Sequence, residues 1–324
     1  METDKPLISI LMAVYEPRID WLKEQLQSIE AQTYPNLRLY IRDDCSPCVS
    51  IDVLEHCAQE CIHSFPFSVV RNEKNIGSNL TFERMTAEAE GEYLAYCDQD
   101  DIWLPEKLSV LQKELEDNQA ELVCSDMYII DENGKQIADS LTKIRRGHVF
   151  RSGTGLTDTL WYSNFASGCA LLVRAETAKQ AIPFNPYMYY DHYIALWCAN
   201  RGRVVSIPEP LIRHREHGEN QSSVMQGIHD KESYRRIRID KKAEAVKWLR
   251  DHFPCDGTLK QTLADGTAWM QARQAYARGD RSQMRVIWKY RDFSRLASIL
   301  EIASPWIPES VFRILIWIKQ ENYV

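Results

Sequence analysis

The sequence of 324 residues contains no apolar run of the ~18–20 residues that a membrane-spanning helix needs. Residues 1–6 are largely charged or polar and lead directly into an apolar segment, so we expect no secretory signal. Internal repeats and low-complexity segments are also lacking, and 44% hydrophobic with 26% charged residues is ordinary for a globular protein. The composition predicts a cytoplasmic protein with one large domain plus an extension, or two domains.

A disulfide framework is not indicated either, because the nine cysteines are an odd number and most lie at positions that look buried. Reduced thiols in the cytosol are expected. The segment Cys45-Ser-Pro-Cys48 with Cys57 and Cys61 is a loose match to a zinc site, but the chain has no second CxxC pair. Core cysteines are therefore the default interpretation, and the role of Cys45 and Cys48 stays open.

Basic charge is scarce in the body of the chain and abundant near its end. Residues 228–295 carry 16 Lys/Arg and 9 Asp/Glu, a local net charge of +7. Because the whole chain has a net charge of −7, the remaining residues together carry −14. An acidic body with a basic tail suggests different partners for the two parts. No nucleic-acid recognition motif accompanies the basic residues, so a nucleic-acid partner is not expected.

The most informative segment that is present is Tyr93-Leu-Ala-Tyr-Cys-Asp-Gln-Asp-Asp-Ile-Trp-Leu-Pro105, an apolar strand that ends in three carboxylates. Asp98, Asp100 and Asp101 would repel one another unless a cation lies among them. Carboxylate oxygens at a strand end suit Mg²⁺ or Mn²⁺ with open positions for phosphates. The alternative is an acidic turn that caps a helix beginning at Glu106, although one cap needs only one Asp.

Apolar runs alternate with helical patterns through the first 124 residues. Strands are predicted at residues 7–14, 37–41, 67–70, 93–97 and 122–124, and helices at 22–29, 51–61, 80–89 and 105–118. This alternation indicates an α/β fold with a parallel sheet, whose carboxyl edge binds the ligand. Further on we expect a hairpin turn at 131–134, strands at 170–173, 204–207 and 211–212, a helix at 191–199, and helices from 228 to the end.

These residues resemble glycosyltransferase family 2. The resemblance lies in Ile8-Ser-Ile-Leu-Met-Ala-Val-Tyr-Glu16, Ile41-Arg-Asp-Asp44, Asn72-Glu-Lys-Asn-Ile-Gly77 and Cys97-Asp-Gln-Asp-Asp101, and then in Asn164-Phe-Ala-Ser-Gly-Cys169, Tyr190-Asp-His192 and Arg215-Glu-His-Gly-Glu-Asn220. It implies a GT-A fold, with a Rossmann-like nucleotide-binding sheet and an acceptor-side half, over residues 1–227. Residues 228–324 would form a helical, basic and amphipathic extension.

The resemblance also implies which residues bind the nucleotide. Ala13, Tyr15 and Glu16 would flank the base, Asp43 would bond the edge of a pyrimidine, and Asn75 would contact the donor. A base needs a stacking partner and a polar reader, which a tyrosine and a carboxylate can supply. The alternative is that Tyr15 is a surface aromatic in a loop. The family usually has glycine after its paired acids and an acid where Cys48 stands, whereas this chain has Cys45 and Cys48.

Metal and catalytic roles follow from the same resemblance. Asp100 would bind Mn²⁺ or Mg²⁺ directly, Asp98 would hold the ribose, the metal or a metal-bound water, and Asp101 would orient both. His217 is a candidate metal ligand or a solvated loop residue. Asp191 would be the general base of an inverting transfer, or alternatively a helix N-cap.

We therefore expect a metal-dependent inverting sugar transferase of surface polysaccharide synthesis, such as O-antigen or capsule. The resemblance favours dTDP-rhamnose or a UDP-hexose as donor and a saccharide hydroxyl, free or lipid-linked, as acceptor. Trp306–Ile318 and the basic helices fit an anionic inner-membrane surface, or else packing within the protein or a dimer. Rival functions are a non-catalytic nucleotide- or carbohydrate-binding module and a nucleotidyltransferase, although the chain lacks the latter's glycine-rich loop with lysine.

Overall fold

The computed structural model describes residues 5–145, 147–218, 227–255 and 257–321. The chain divides into two compact units: Met1–Phe184 with Tyr189–Gly218, and Asn185–Met188 with Glu219–Val324. The predicted boundary after residue 227 lies close to this division. The assignment of Asn185–Met188 to the second unit has no counterpart in the sequence pattern.

The first unit is built on one mixed sheet. Its strands in the described residues are Ile8–Val14 (β1), Leu37–Asp43 (β2), Phe67–Arg71 (β3), Tyr93–Cys97 (β4), Ile102–Trp103 (β5), Ala120–Ile130 (β6), Gln136–Ala138 (β7), Leu171–Arg174 (β8) and Arg203–Arg215 (β9). Their order is β3-β2-β1-β4-β8-β6-β9-β5, and β7 pairs with β6.

Helices cover the sheet and follow its strands along the chain. They are Ile19–Glu30 (α1), Ile51–Cys61 (α2), Ser78–Glu88 (α3), Lys107–Asp117 (α4), Leu141–Ile144 (α5), Thr157–Leu160 (α6), Ala175–Gln180 (α7) and Tyr190–Arg201 (α8), with a 3-10 turn at Gly168–Ala170. The α2 helix begins where the Ser50 side chain accepts a hydrogen bond from the Val53 amide, as an N-cap does.

Strands β1 and β4 lie in the middle of the sheet, where both of their faces are covered. Their sequences are therefore continuous apolar runs. Ile8, Ile10, Met12 and Ala95 are fully buried in one core cluster with residues of α1, α2 and α4. Cys57 and Cys61 of α2 belong to the same cluster, and all nine cysteines, each within the described residues, are free thiols. The buried positions of Cys57 and Cys61 agree with the core interpretation of these two residues.

The parallel pairing predicted from the alternating strands and helices holds for β1 to β4, whereas β8, whose direction the sequence did not predict, is antiparallel. Strands β2-β3, β1-β2 and β1-β4 pair in parallel, whereas β8 pairs antiparallel with both β4 and β6. Strand β9 runs parallel to β6. As a result β1, β2, β4, β6 and β9 all end at the same edge, and the loops that follow them converge there.

The two short strands predicted around Pro208 and Pro210 form a single strand, β9. Its pairing with β6 shifts register on either side of Asp126. Ser125 pairs with Ile207, whereas the next residue, Asp126, pairs with Pro210. Proline has no amide hydrogen to donate, so the ladder is interrupted there although the strand continues. The two-residue strand β5, which the sequence did not predict, pairs antiparallel with β9 at Ile212 and Arg213.

The second unit is helical in its described part, as expected. Lys231–Tyr234 (α9), a π-helical segment Arg235–Asp240 and Lys241–His252 (α10) are continuous, and Gly257–Ala277 (α11), Met284–Lys289 (α12), Arg295–Ala303 (α13) and Glu309–Glu321 (α14) follow. Arg273 is 1% exposed and donates two hydrogen bonds to the Glu301 carboxylate, from Nε at 2.7 Å and from Nη2 at 2.5 Å. Among the described helices of the whole chain, none has the length and apolarity to cross a membrane.

Candidate functional site

Strand register brings the predicted nucleotide and metal residues to one level of the sheet. Val14 of β1 lies beside Asp43 of β2, and Met12 of β1 lies beside Cys97 of β4. Ala13 comes directly after Met12, and Asp98 directly after Cys97, so both lie at the carboxyl edge that the two strands share. Ligands of open α/β sheets bind in the crevice outside this edge.

Asp101 is the most deeply buried of the three acids, and it pairs with a histidine that the sequence did not single out. Because β5 pairs with β9, Asp101 Oδ1 lies 2.9 Å from His214 Nδ1 and accepts the Arg215 amide at 3.0 Å. Burial disfavours the charged form of both groups, but the attraction and hydrogen bond between them outweigh it. The pKa of Asp101 therefore lies below its usual value, and the pKa of His214 rises to about 9. Asp101 is thus a structural anchor of the acidic loop.

Asp98 has an unusually high pKa for a carboxylate. Burial raises its pKa to about 7, and the nearby charges of Asp101, Asp100 and Asp191 add to that rise. The excess of negative charge here is what a divalent cation would offset. Asp98 and Asp191, predicted from opposite halves of the domain, are thereby close enough to interact electrostatically.

Asp100 contacts the predicted ligand His217, with its Oδ2 2.9 Å from His217 Nε2. The His217 ring lies against Trp21, with ring centroids 5.0 Å apart. Arg215, which is 1% exposed, donates from Nε to the Asp100 carbonyl at 2.9 Å and from Nη2 to Glu24 at 2.5 Å. The end of β9 is therefore tied to the acidic loop. Asn220, the last residue of the same sequence motif, lies outside the described residues.

The residues present fit a divalent cation in part. Asp100 and His217 are adjacent, and carboxylate oxygens with an imidazole nitrogen suit Mn²⁺ or Mg²⁺. Within the described ranges, the three-residue cluster whose ligand atoms lie within 4.8 Å of one another is Asp101, Cys169 and His214. Asp98 thus does not complete such a cluster with Asp100 and His217. The alternative that the acids cap a helix is wrong, because α4 begins at Lys107 with Glu106 as its N-cap.

Asp191 lies in the first turn of α8, where Tyr189 is the N-cap and makes no side-chain cap bond. Its Oδ2 accepts the Gly168 amide at 3.0 Å and its Oδ1 accepts the His192 amide at 2.6 Å. Burial raises the pKa of Asp191 to about 6, although these two hydrogen bonds favour the charged form. The N-cap interpretation is therefore wrong, and the carboxylate is held in place from two sides.

Gly168 is required by a close approach. A Cβ at this position would lie 2.0 Å from the hydroxyl of Tyr190. That tyrosine cannot easily retreat, because its ring packs on Phe82 with centroids 4.1 Å apart and on Tyr96 at 5.1 Å. Tyr190 is thus core, whereas Tyr189 is 48% exposed.

Tyr15 is held at the sheet edge by its main chain. The Gln99 side chain accepts the Tyr15 amide at 2.8 Å and donates to the Tyr15 carbonyl at 3.1 Å. Gln99 lies between Asp98 and Asp100, so this pair of bonds couples the end of β1 to the acidic loop. The Tyr15 ring is 44% exposed, which leaves it accessible for stacking.

Asp43 is fully buried and already engaged. Its Oδ2 lies 2.5 Å from Arg71 Nε, and its Oδ1 accepts the Ser46 hydroxyl at 2.5 Å. Ser46 Oγ also accepts the Glu16 amide at 2.8 Å, and Glu16 accepts the Cys48 amide at 2.7 Å. Asp43 therefore shapes the loop in the structure as it stands, and its contact with a base stays a prediction.

The turn that contains Asn75 is organised by Asp44. The carboxylate of Asp44 accepts the amides of Ile76 at 2.9 Å and Gly77 at 2.7 Å, and the Asn72 side chain at 2.9 Å. Asn75 is exposed at the tip, where its side chain accepts the Gly77 amide at 3.2 Å. The described contacts link Asn75 to the end of β2, but not to the acidic loop.

Cys45 adopts a left-handed backbone conformation with φ of +62°. Glycine takes this conformation without steric cost, which accounts for the glycine that the family usually has there. The Cys45 thiol lies 3.8 Å from the Glu73 carbonyl, and Cys48 is exposed.

Several residues that build the site carry no local sequence signal. Gln99, Ser46, Arg71 and His214 are ordinary polar residues, and each acts through a partner more than 20 positions away or through a side-chain bond to main chain. Gln99 and Ser46 stand inside segments that the sequence singled out, Cys97–Asp101 and Cys45–Cys48, but neither residue was predicted to build the site. The others become visible only when the strands are paired.

The sheet order and the acidic loop at its carboxyl edge define the class: this is a glycosyltransferase with a GT-A fold. The model of the family described as "Glycosyl transferase family 2" matches residues 9–177, just over half of the chain. The protein therefore belongs to glycosyl transferase family 2, and the expected family, fold and enzyme class are confirmed.

Curated relatives resemble parts of the chain. An uncharacterized glycosyltransferase of Methanocaldococcus jannaschii is 33% identical over 41% of this chain and 46% of its own length. One from Nostoc sp. is 27% identical over 66% of each chain. The putative teichuronic acid biosynthesis glycosyltransferase TuaG of Bacillus subtilis is 33% identical over 35% of this chain and 42% of its own. The matches thus span less than two thirds of these relatives.

Two solved structures share the fold. TarS 1-349 of S. aureus in complex with UDP-GlcNAc has a TM-score of 0.55 and 18% identity, over 88% of this chain and 91% of TarS 1-349. The mannosyltransferase PcManGT of Pyrobaculum calidifontis, in complex with GDP-Man and Mn²⁺, has a TM-score of 0.57 and 16% identity, over 98% and 88%. At these identities the likeness concerns the fold alone.

Proposed function

We propose that the protein transfers a sugar from a nucleoside diphosphate sugar to a saccharide hydroxyl, with inversion at the anomeric carbon and with a divalent metal. The observation that carries this proposal is that the turn holding Asp191 lies against the acidic loop: the Gly168 amide donates to Asp191 at 3.0 Å, and the neighbouring Cys169 thiol lies within 4.8 Å of an Asp101 carboxylate oxygen. A metal–diphosphate site next to a carboxylate base is what a single displacement requires.

Asp98, Asp100 and His217 would hold Mn²⁺ or Mg²⁺. The ion would stabilise the negative charge that accumulates on the departing nucleoside diphosphate. Arg215 and Asp101 keep the ligand-bearing loops in place through the Asp100 carbonyl and the His214 ring. The presence of Mn²⁺ and GDP-Man in the PcManGT structure supports the use of a divalent metal, and the choice of ligands is drawn from this chain alone.

Asp191 would act as the base. The acceptor oxygen attacks the anomeric carbon from the face opposite the diphosphate, while its proton passes to Asp191. The bond from that carbon to the diphosphate oxygen breaks, and its electron pair leaves with the nucleoside diphosphate. A base with a pKa of about 6 is ionised at neutral pH and still basic enough to accept a proton.

The nucleoside would bind beside Ala13, Tyr15 and Glu16. Tyr15 offers an exposed ring for stacking on the base. Asp43 would read the base only if the Ser46 loop opens on binding, since its oxygens are otherwise engaged. Asn75 would reach the donor from the exposed tip of its turn.

For the donor sugar we propose dTDP-rhamnose or a UDP-hexose, and for the pathway surface polysaccharide such as O-antigen or capsule. The name of TuaG, putative teichuronic acid biosynthesis glycosyltransferase, supports a role in polysaccharide biosynthesis. A lipid-linked saccharide is one acceptor that a membrane-associated enzyme would meet. Peripheral contact with the inner face of the plasma membrane is proposed on the surface of α14.

That surface is an apolar stripe, Val311, Ile314, Leu315 and Ile318, at the i, i+3, i+4, i+7 spacing of one helix face. All four side chains are between 43% and 55% exposed. The opposite face, with Phe312 and Ile316, is buried against the core of the second unit. An exposed stripe on a helix that is already anchored fits an interfacial location.

A donor panel tests the proposal directly. Thermal shifts with dTDP-rhamnose, UDP-hexoses and GDP-mannose, each with and without Mn²⁺, should single out one donor, because binding to the native state raises apparent stability. Hydrolysis or transfer of that donor should then be abolished by Asp191→Ala while the thermal shift persists. Equal turnover of wild type and variant would reject Asp191 as the base, and no metal-dependent shift with any donor would reject the metal–diphosphate site.

A further inference from the structure

Lys107, the first residue of α4, is completely buried. A lysine is almost never fully buried unless it has a partner, because its charge loses hydration. Its Nζ donates to the Cys169 carbonyl at 2.5 Å and lies 3.2 Å from the ring centroid of Trp103. Neither contact is part of the reaction described above.

The two partners of Lys107 belong to the two halves of the site. Trp103 lies in β5, two residues after Asp101 of the acidic loop. Cys169 lies in the Gly168–Ala170 turn, and the neighbouring Gly168 amide donates to Asp191 at 3.0 Å. The ammonium group thus bridges the acidic loop and the turn that holds the base.

We propose that Lys107 is a positioning residue, which holds the Gly168–Ala170 turn against the acidic loop and so sets the place of the Asp191 carboxylate. The inference rests on the proposed function of Asp191. Displacement of a reacting group by about 1 Å can cost ~10²-fold in rate, so a tether at this point has a kinetic consequence.

Simple packing does not account for a lysine here. Methionine or leucine would fill the same space without the loss of hydration that a buried charge suffers. The amine is surrounded by Cys97, Cys169, Asp98 and Asp101; burial lowers its pKa to about 8, and these groups oppose the fall. An apolar side chain cannot donate a hydrogen bond to the Cys169 carbonyl, and this carbonyl needs a donor because it lies in a buried turn.

Lys107→Met and Lys107→Gln, made in the full chain, test the inference. Methionine keeps the apolar stem and removes the donor, whereas glutamine keeps an amide donor on a shorter stem. Lys113→Met is the matched control, since Lys113 lies on the same helix but is exposed and paired with Asp117. Protein labelled with ¹⁵N-glycine would report the Gly168 amide without any turnover.

For Lys107→Met we expect kcat to fall ~10–100-fold while the donor KM changes less than ~2-fold, because Lys107 is not among the residues proposed to bind the donor. Hydrogen exchange of the Gly168 amide should be at least about tenfold faster. The chemical shift of this amide follows the ionisation of Asp191. The midpoint of that pH titration should move to higher pH in the variant, because the Asp191 carboxylate loses a hydrogen bond that stabilises its charged form. The other groups around Asp191, namely Arg145, Asn164, His192 and Asp98, are unchanged.

Glutamine should lie between wild type and methionine in both measurements, and Lys113→Met should match wild type. Wild-type kcat and Gly168 exchange in either folded variant would overturn the inference. So would failure of both variants to fold, because Lys107 would then be a stability residue. If the wild type itself transfers no sugar, the proposed function fails, and the Gly168 amide still decides whether Lys107 holds the turn.

Discussion

At the scale of single residues, the ionisation of Asp191 should control the rate. Its pKa is raised from 3.8 to about 6 in the folded protein, chiefly by burial. A base works only when it is deprotonated, so kcat/KM should fall about tenfold per pH unit below pH ~6 and level off above it. A pH profile of kcat/KM for the acceptor, with donor and metal saturating, checks the position of this limb.

The substitution Asp191→Asn keeps the shape and the acceptor oxygen for the Gly168 amide but cannot take a proton. We expect a loss of ~10²–10⁴-fold in kcat with little change in donor binding. Asp158→Asn is the control, because Asp158 also lies in the first turn of a short helix, α6, but is exposed. A profile for the Asn variant that still falls below pH 6 would assign the acid limb to another group.

The substitution Gly168→Ala tests how tightly the turn beside Asp191 is packed. Gly168→Ala places a methyl group 2.0 Å from the Tyr190 hydroxyl, so the turn or the tyrosine must shift. Overpacking of this kind costs about 1–3 kcal/mol, which thermal unfolding would show as a lower Tm. Gly147→Ala, where no atom lies within 4 Å of the added carbon, should leave Tm nearly unchanged.

At the scale of elements, the sequence predicted what periodicity controls. Continuous apolar runs gave β1 and β4, and α2 was predicted at its observed limits, Ile51–Cys61. Periodicity cannot reveal the direction in which a strand pairs, so the antiparallel insertion of β8 between β4 and β6 was missed. Strand β5 is too short to leave a pattern, and the prolines made β9 look like two strands.

The candidate site was predictable as far as single motifs reach. Asp98, Asp100, His217 and Asp191 lie in motifs. The first three follow β4 and β9, which end at the same edge of the sheet, and Asp191 is held by the Gly168 amide. The supports of these residues were not predictable, because Asp101–His214 and Lys107–Cys169 are contacts across 113 and 62 positions. Such contacts depend on the assembled sheet rather than on any local run of residues.

Asp44 shows how one side chain organises an element. It satisfies two amides and one side chain in the turn that leads into α3, at Ile76, Gly77 and Asn72. Asp44→Ala would leave these donors without their acceptor, at a cost of about 1–3 kcal/mol. We expect a lower Tm and a higher donor KM, because Asn75 lies in the same turn. Asp52→Ala, an exposed acid in the first turn of α2, is the control and should change neither value.

At the scale of the whole molecule, charge and apolar exposure separate along the chain. The acidic residues of the site lie in the first unit, whereas the second unit exposes Trp288, Trp306 and Trp317 at 51%, 70% and 59%. Tryptophan favours the interface between water and lipid, and each basic residue near an anionic surface can add ~1 kcal/mol. Basic residues lie in the same part of the sequence, before and between these tryptophans: Arg281, Arg285, Lys289, Arg291, Arg295 and Arg313.

This distribution predicts that the protein binds anionic vesicles through α14. Wild type should sediment with vesicles of phosphatidylcholine that contain an anionic lipid, less with phosphatidylcholine alone, and less again at high salt. Ile314→Asp with Leu315→Asp should abolish sedimentation without unfolding, because both side chains are already exposed and burial of each in lipid is worth about 1.5–3 kcal/mol. Ile137→Asp, an exposed apolar residue of β7 in the first unit, is the control and should bind as wild type does. If wild type instead stays in solution as a dimer that the double variant dissociates, a second copy covers the stripe and the membrane assignment is wrong.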